Sequence, residues 1–148
     1  MDNSTYQNGI LQTKRTIQYS PDEIYATFSD PTRLAKWWGP NNFTNTFETF
    51  EFITGGHWNF LMRGPDGHDY PNKSVFKELL TGEKLVIEHI SPPRFTLSVF
   101  LSPIENGTQV HWVQEFEDPT VAEAVRHIAV PGNEQNLDRL EMHLRGEL

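Results

Sequence analysis

Apolar residues along the chain keep two different periods, and the switches between them mark out the elements. LQTKRTIQY (11–19) alternates, which places Leu11, Thr13, Arg15, Ile17 and Tyr19 on one face of a strand. Ser20 reads as a helix cap, Pro21 suits the first helical position, and Asp22 and Glu23 complement the helix dipole. Ile24, Tyr25 and Phe28 supply the apolar side of that helix. Asp30-Pro31 restarts the pattern, and TRLAKWW gives a second short helix that stops at Gly39-Pro40.

From residue 43 the period is two. Strands are predicted over 43–53, 57–63, 73–80, 84–91, 94–102 and 108–117. Their separators are turn-rich: Thr54-Gly55-Gly56, Pro65-Asp66-Gly67, Thr81-Gly82-Glu83, Pro92-Pro93 and Glu105-Asn106-Gly107. Such short connections leave no room for crossover helices, so the strands are expected to pair as antiparallel neighbours. In the second hairpin Pro65-Asp66-Gly67 is the tip, and Arg63 and Asp66 flank it as a candidate ion pair. Asp118-Pro119 opens a terminal helix that Pro131-Gly132 is expected to kink or split, with Leu137, Leu140 and Leu144 forming one stripe beyond the break. The whole pattern predicts an α+β fold, one domain over 11–148, preceded by a flexible, frayed N-terminus over 1–10.

Alternation also sorts the faces. Trp58, Phe60 and Met62 share a side, as do Leu85, Ile87 and His89, then Phe95, Leu97, Val99 and Leu101, then Val110, Trp112, Gln114 and Phe116. These sets are expected to face the terminal helix and the others mostly solvent. The apolar face is larger than one helix stripe can cover, which leaves room for a cavity. Candidate wall residues are the aromatics Trp37, Trp38, Phe43, Trp58, Phe60, Phe76 and Trp112, the aliphatics Met62, Ile87, Leu97, Val99 and Leu137, and the polar His89 and Gln114. His89 and Gln114 each need a partner, either backbone or water, or else a ligand on the cavity wall. Trp37-Trp38 serves either as a plug for the open end of the sheet or as a lid over a cavity mouth.

Composition narrows the chemistry. The chain has 148 residues, with 12 Lys+Arg against 20 Asp+Glu, and the resulting charge of −8 argues against a nucleic-acid or anionic-membrane partner. It has no cysteine, which excludes disulfides, thiol catalysis, zinc–cysteine sites and iron–sulfur clusters. No apolar run is long enough for a signal peptide or a membrane span, so a cytoplasmic protein is expected. The histidines at 57, 68, 89, 111, 127 and 143 show no metal-site spacing, and no metal or cofactor is expected. No G-x-S-x-G elbow occurs, Gly55-Gly56 is a turn, and no carboxylate pair stands out, so no catalytic residue is named.

TIQYSPDEIYATFSDPTRLAKWWGPNNFT (16–44), GGHWNFLMRGPDGHDYPNKSVFKELLTGEKLVIEHI (55–90) and EQNLDRLEMHL (134–144) carry a resemblance over most of the chain. They resemble the bacterial family named after the activator of heat-shock protein 90 ATPase, in the START-like (SRPBCC) superfamily. The resemblance implies the Bet v 1-like helix-grip fold: a curved antiparallel sheet around a long C-terminal helix, with an apolar cavity between them. The superfamily includes lipid and hormone carriers, polyketide cyclases and small-molecule sensors. The expected function is therefore the binding of a small apolar or amphipathic ligand. A cyclase- or hydratase-type enzyme using the same cavity is one alternative, and a chaperone-associated stress-response protein is another. A monomer or homodimer is expected.

Overall fold

The structure is a computed structural model that describes residues 5–148. In chain order it contains β1 (Thr5–Gln7), β2 (Ile10–Ile17), α1 (Pro21–Ser29), α2 (Pro31–Trp37), β3 (Thr44–Phe50), β4 (His57–Arg63), β5 (Asp69–Leu80), β6 (Lys84–His89), β7 (Phe95–Ile104), β8 (Gly107–Phe116) and α3 (Pro119–Leu144). The helix starts are built as their sequences require. Ser20 Oγ accepts from Glu23 N while a Glu23 carboxylate oxygen accepts from Ser20 N, a reciprocal capping box. Asp30 and Asp118 cap α2 and α3 by accepting backbone N–H groups of the first turn.

All eight strands form one antiparallel sheet in the order β1-β2-β8-β7-β6-β5-β4-β3. The first long strand therefore lies beside the last, with Leu11 opposite Gln114 and Ile17 opposite Thr108. Register shifts between Phe47 and Thr49 in β3 and between Phe76 and Glu78 in β5 place irregularities near one edge, where they add bend and twist. The result is the expected α+β helix-grip architecture: a curved antiparallel sheet with α3 laid across it and two short helices after β2. Trp58, Phe60, Leu85, Ile87, Leu97, Val99, Val110 and Trp112 are buried together with Leu137 and Leu140 of α3. The inward faces match the alternation in the sequence.

Arg15 fastens β2 to α3. Its guanidinium lies 3.0 Å from Glu134, 2.6 Å from Asp138 and 3.1 Å from Glu141. These carboxylates stand on one side of α3, and the half-buried arginine gathers them against the strand.

Several local expectations change. Thr5–Gln7 pairs with Ile10–Gln12 as an edge strand, and residues 1–4 of the expected N-terminal segment lie outside the described residues. The terminal helix is unbroken through Pro131. Proline removes one N–H, whose helical acceptor would be the carbonyl of His127. Both residues are exposed, so water can serve that carbonyl. β5 begins at Asp69 rather than 73 and runs through Pro71. Lys73 N donates to Ser91 Oγ on the β6 side, and Pro71, two residues earlier, turns its nitrogen the same way. There β5 has passed the last β6 pair, Ser74 with His89, so no ladder bond is lost.

At the hairpin tip Arg63 pairs with Asp69, directly opposite in register, at 2.7 and 3.1 Å, and not with Asp66. Asp66 instead accepts from His68 N at 3.0 Å. Gly67 has φ +83, and a Cβ added there would find no atom within 4 Å, so a side chain meets only conformational strain. Gly67→Val is expected to cost about 1–2 kcal/mol, whereas Asp66→Asn keeps its acceptor and stays within about 0.5 kcal/mol. Denaturant unfolding of the two variants checks this, and an equal loss would mean that the tip depends on the aspartate charge.

Candidate functional site

Rows of residues cross the concave face of the sheet in register. One row runs Phe50, Trp58, Ser74, His89, Phe95, Phe116 from β3 to β8. The next runs Phe76, Ile87, Leu97, Gln114, Leu11. Five members of the first row are ring-bearing, and Ser74 is the exception. A small side chain flanked by large ones leaves a hollow that close packing would otherwise fill.

A cavity of about 390 Å³ occupies that place. Of the candidate wall residues, Trp38, Trp58, Phe60, Met62, Ile87, His89 and Leu97 line it, together with Tyr70, Pro71, Asn72, Ser74, Pro92, Pro93 and Phe95. The first three of these additional residues were out of reach because β5 starts four residues earlier than its predicted boundary. Carried back from Phe76, the two-residue period leads through Ser74 and Asn72 to Tyr70 on the same face. Pro92-Pro93 read as a turn, and Phe95 as an inward residue without a special role.

The other expected wall residues lie elsewhere. Trp37, Phe76, Val99 and Leu137 are completely buried in the core, and Trp112 is nearly so. Phe43 packs its ring against Tyr70 at 6.1 Å between centroids. Gln114 finds its partner on α3, where Asn133 Nδ2 donates to Gln114 Oε1 at 3.0 Å. The two tryptophans differ in their surroundings. Trp37 plugs the core, with its Nε1 donating to Thr27 O at 3.3 Å, while the partly exposed Trp38 forms cavity wall.

Trp38 is held in place from α3. Arg139 Nη1 donates to the carbonyls of Trp38, Gly39 and Pro40 at 2.9, 3.0 and 2.9 Å. Its Nη2 donates to Lys36 O at 2.8 Å and Phe43 O at 3.1 Å. Asn136, one turn earlier, donates to Trp37 O at 3.1 Å. The last carbonyls of a helix have no partner within it, and here side chains of a neighbouring helix supply the donors. The Trp38 ring then reaches Trp58 at 5.0 Å and Trp112 at 5.8 Å between centroids. The indole N–H groups of Trp58 and Trp112 are buried and meet no acceptor among the described residues.

His89 is the polar centre of the wall. Its ring stacks on Phe95, 4.5 Å away and 8° from parallel. Nδ1 lies 2.9 Å from Pro93 O, and Nε2 lies 2.7 Å from Asn72 Oδ1 and 3.3 Å from Ser91 Oγ. Burial pushes its pKa down, against the smaller upward pull of backbone hydrogen bonds at Pro93 and Ser91. Among the described residues no three His, Asp or Glu side chains are placed to hold a metal ion. No described helix is long and apolar enough to cross a membrane. The arrangement offers an apolar hollow with one polar side and no carboxylate.

The fold is similar to that of a protein from Arthrobacter aurescens, with 21% identity and a TM-score of 0.88 over 97% of this chain and 91% of that one. NE0264 from Nitrosomonas europaea is 20% identical, with a TM-score of 0.85 over 97% of this chain and 99% of its own. An AHSA1-like protein from Aeromonas hydrophila is 15% identical, with a TM-score of 0.72 over 93% and 92%. At these identities the likeness speaks for the fold alone. No curated protein matches the chain. The family model described as Activator of Hsp90 ATPase homolog 1-like protein matches residues 18–145, and the chain belongs to that family.

Proposed function

We propose that the protein binds a small apolar or amphipathic molecule in the cavity over Ser74. The observation that carries this reading is the cavity itself: about 390 Å³ of space walled by rings and aliphatic side chains, with His89 and Asn72 on one side. Ligand sites commonly have this size and this mixture, within a range of ~300–1,000 Å³. A cytoplasmic monomer or homodimer belongs to the same proposal.

An environment-sensitive apolar probe is expected to bind at one site with roughly micromolar affinity. Binding should change the fluorescence of Trp38 and Trp58 and raise the melting temperature, because a ligand selective for the native state stabilises it by mass action. Ser74→Leu fills the hollow and should abolish binding, and Ser74→Val, which adds less volume, should weaken it. Without saturable binding or a thermal shift in the wild-type protein, the reading fails.

A cyclase- or hydratase-type enzyme is the second reading, favoured by His89, a wall residue held toward its neutral form by burial. Both of its ring nitrogens already have protein groups within hydrogen-bonding distance. A base needs a free lone pair directed at the substrate, so binding without chemistry comes first.

A further inference from the structure

Resting on the binding reading, we infer that the ligand is an uncharged ring compound bearing a hydroxyl group, and that Asn72 Oδ1 accepts a hydrogen bond from that hydroxyl. Three observations carry the inference. First, none of the residues lining the cavity is Asp, Glu, Lys or Arg. The charged residues Glu88, Arg94, Glu115 and Glu117 line a neighbouring hollow of about 270 Å³ on the other side of His89 and Phe95, which line both, and Arg94 is paired there with Glu117 at 2.8 Å. A charged ligand would lose its hydration and gain no opposite charge.

Second, the faces and edges of Trp38, Trp58, Phe60, Tyr70 and Phe95 dominate the wall. Aromatic walls favour flat rings, which they meet stacked or edge-on. The volume equals that of about a dozen water molecules at ~30 Å³ each, the size of a one- or two-ring compound.

Third, the polar side lacks a proton. Asn72 Nδ2 donates to Tyr70 O at 2.8 Å, which turns Oδ1 toward His89 Nε2. Pro93 O faces the other ring nitrogen. A neutral imidazole carries one N–H, so in either tautomer one of these contacts sets acceptor against acceptor. When Nδ1–H serves Pro93 O, the Ser91 hydroxyl can donate to Nε2, and Asn72 Oδ1 is left without a donor among the described residues. A ligand hydroxyl supplies it.

Four probes of one ring size test this: naphthalenemethanol, methylnaphthalene, naphthoate and naphthylmethylammonium, titrated into the wild-type protein and followed by tryptophan fluorescence and melting temperature. Naphthalenemethanol is expected to bind about five- to tenfold more tightly than methylnaphthalene. Both ions should bind more than about tenfold more weakly than the alcohol. Asn72→Val, at a partly exposed position, should remove the advantage of the alcohol over methylnaphthalene. An ion that binds as tightly as the alcohol overturns the uncharged class, and an alcohol no better than methylnaphthalene overturns the hydroxyl. An advantage that survives Asn72→Val overturns the role of Asn72. Each of these outcomes leaves the cavity reading standing. Absence of binding by all four probes defeats the cavity reading and the inference with it.

Discussion

Replacing Arg139 with leucine is expected to destabilise the protein by about 3–5 kcal/mol, since each buried carbonyl left unpaired costs ~1–3 kcal/mol and water reaches only some of them. The guanidinium is buried and serves five carbonyls between Lys36 and Phe43. A lysine can offer three donors from a single nitrogen, so Arg139→Lys should fall between wild type and leucine. Denaturant unfolding gives the order. A loss below about 1 kcal/mol for leucine, the level of an ordinary surface contact, would mean that the segment is held by its apolar packing alone.

The second large effect is expected at Trp37. Its side chain is fully buried, and its ring meets Phe28 edge-on at 4.9 Å. Trp37→Ala should cost about 3–5 kcal/mol, the range for emptying a large aromatic site. Trp38 is partly exposed and faces the cavity, so Trp38→Ala should cost roughly half as much, in proportion to the apolar area it hides. Probe binding separates the two further: Trp37→Ala leaves the affinity of the folded protein unchanged, while Trp38→Ala alters it. If Trp38→Ala proves the costlier change, the division between plug and wall is wrong.

The helix caps, the antiparallel pairing and the inward faces could be read from the sequence because local rules govern them. Ser20, Asp30 and Asp118 act within one turn, and alternation decides a strand's face without knowledge of its neighbours. The cavity was legible only in part. Its position depends on which residues become neighbours across strands, and a serine between Trp58 and His89 becomes a hollow only when register brings them into one row. Gln114 illustrates the limit. It occupies the inward face as expected, yet Asn133, a partner specified by how α3 lies on the sheet, takes its hydrogen bond. Arg139 was missed for the same reason. Its acceptors lie about a hundred residues away in sequence and are main-chain oxygens, which no motif records.

That choice of acceptors matters to anyone who would redesign the protein. Arg139 holds groups that every amino acid possesses, so the anchor is indifferent to the side chains it carries. Positions 36, 38 and 43 can be varied in a library while the segment stays docked. Gly39 is the exception, because its φ is +95 and an added Cβ would come within 2.6 Å of Met62 Cε. Around that one glycine the main chain at position 38 stays fixed, so a guest can be selected there among large side chains that still pack against Trp58 and Trp112.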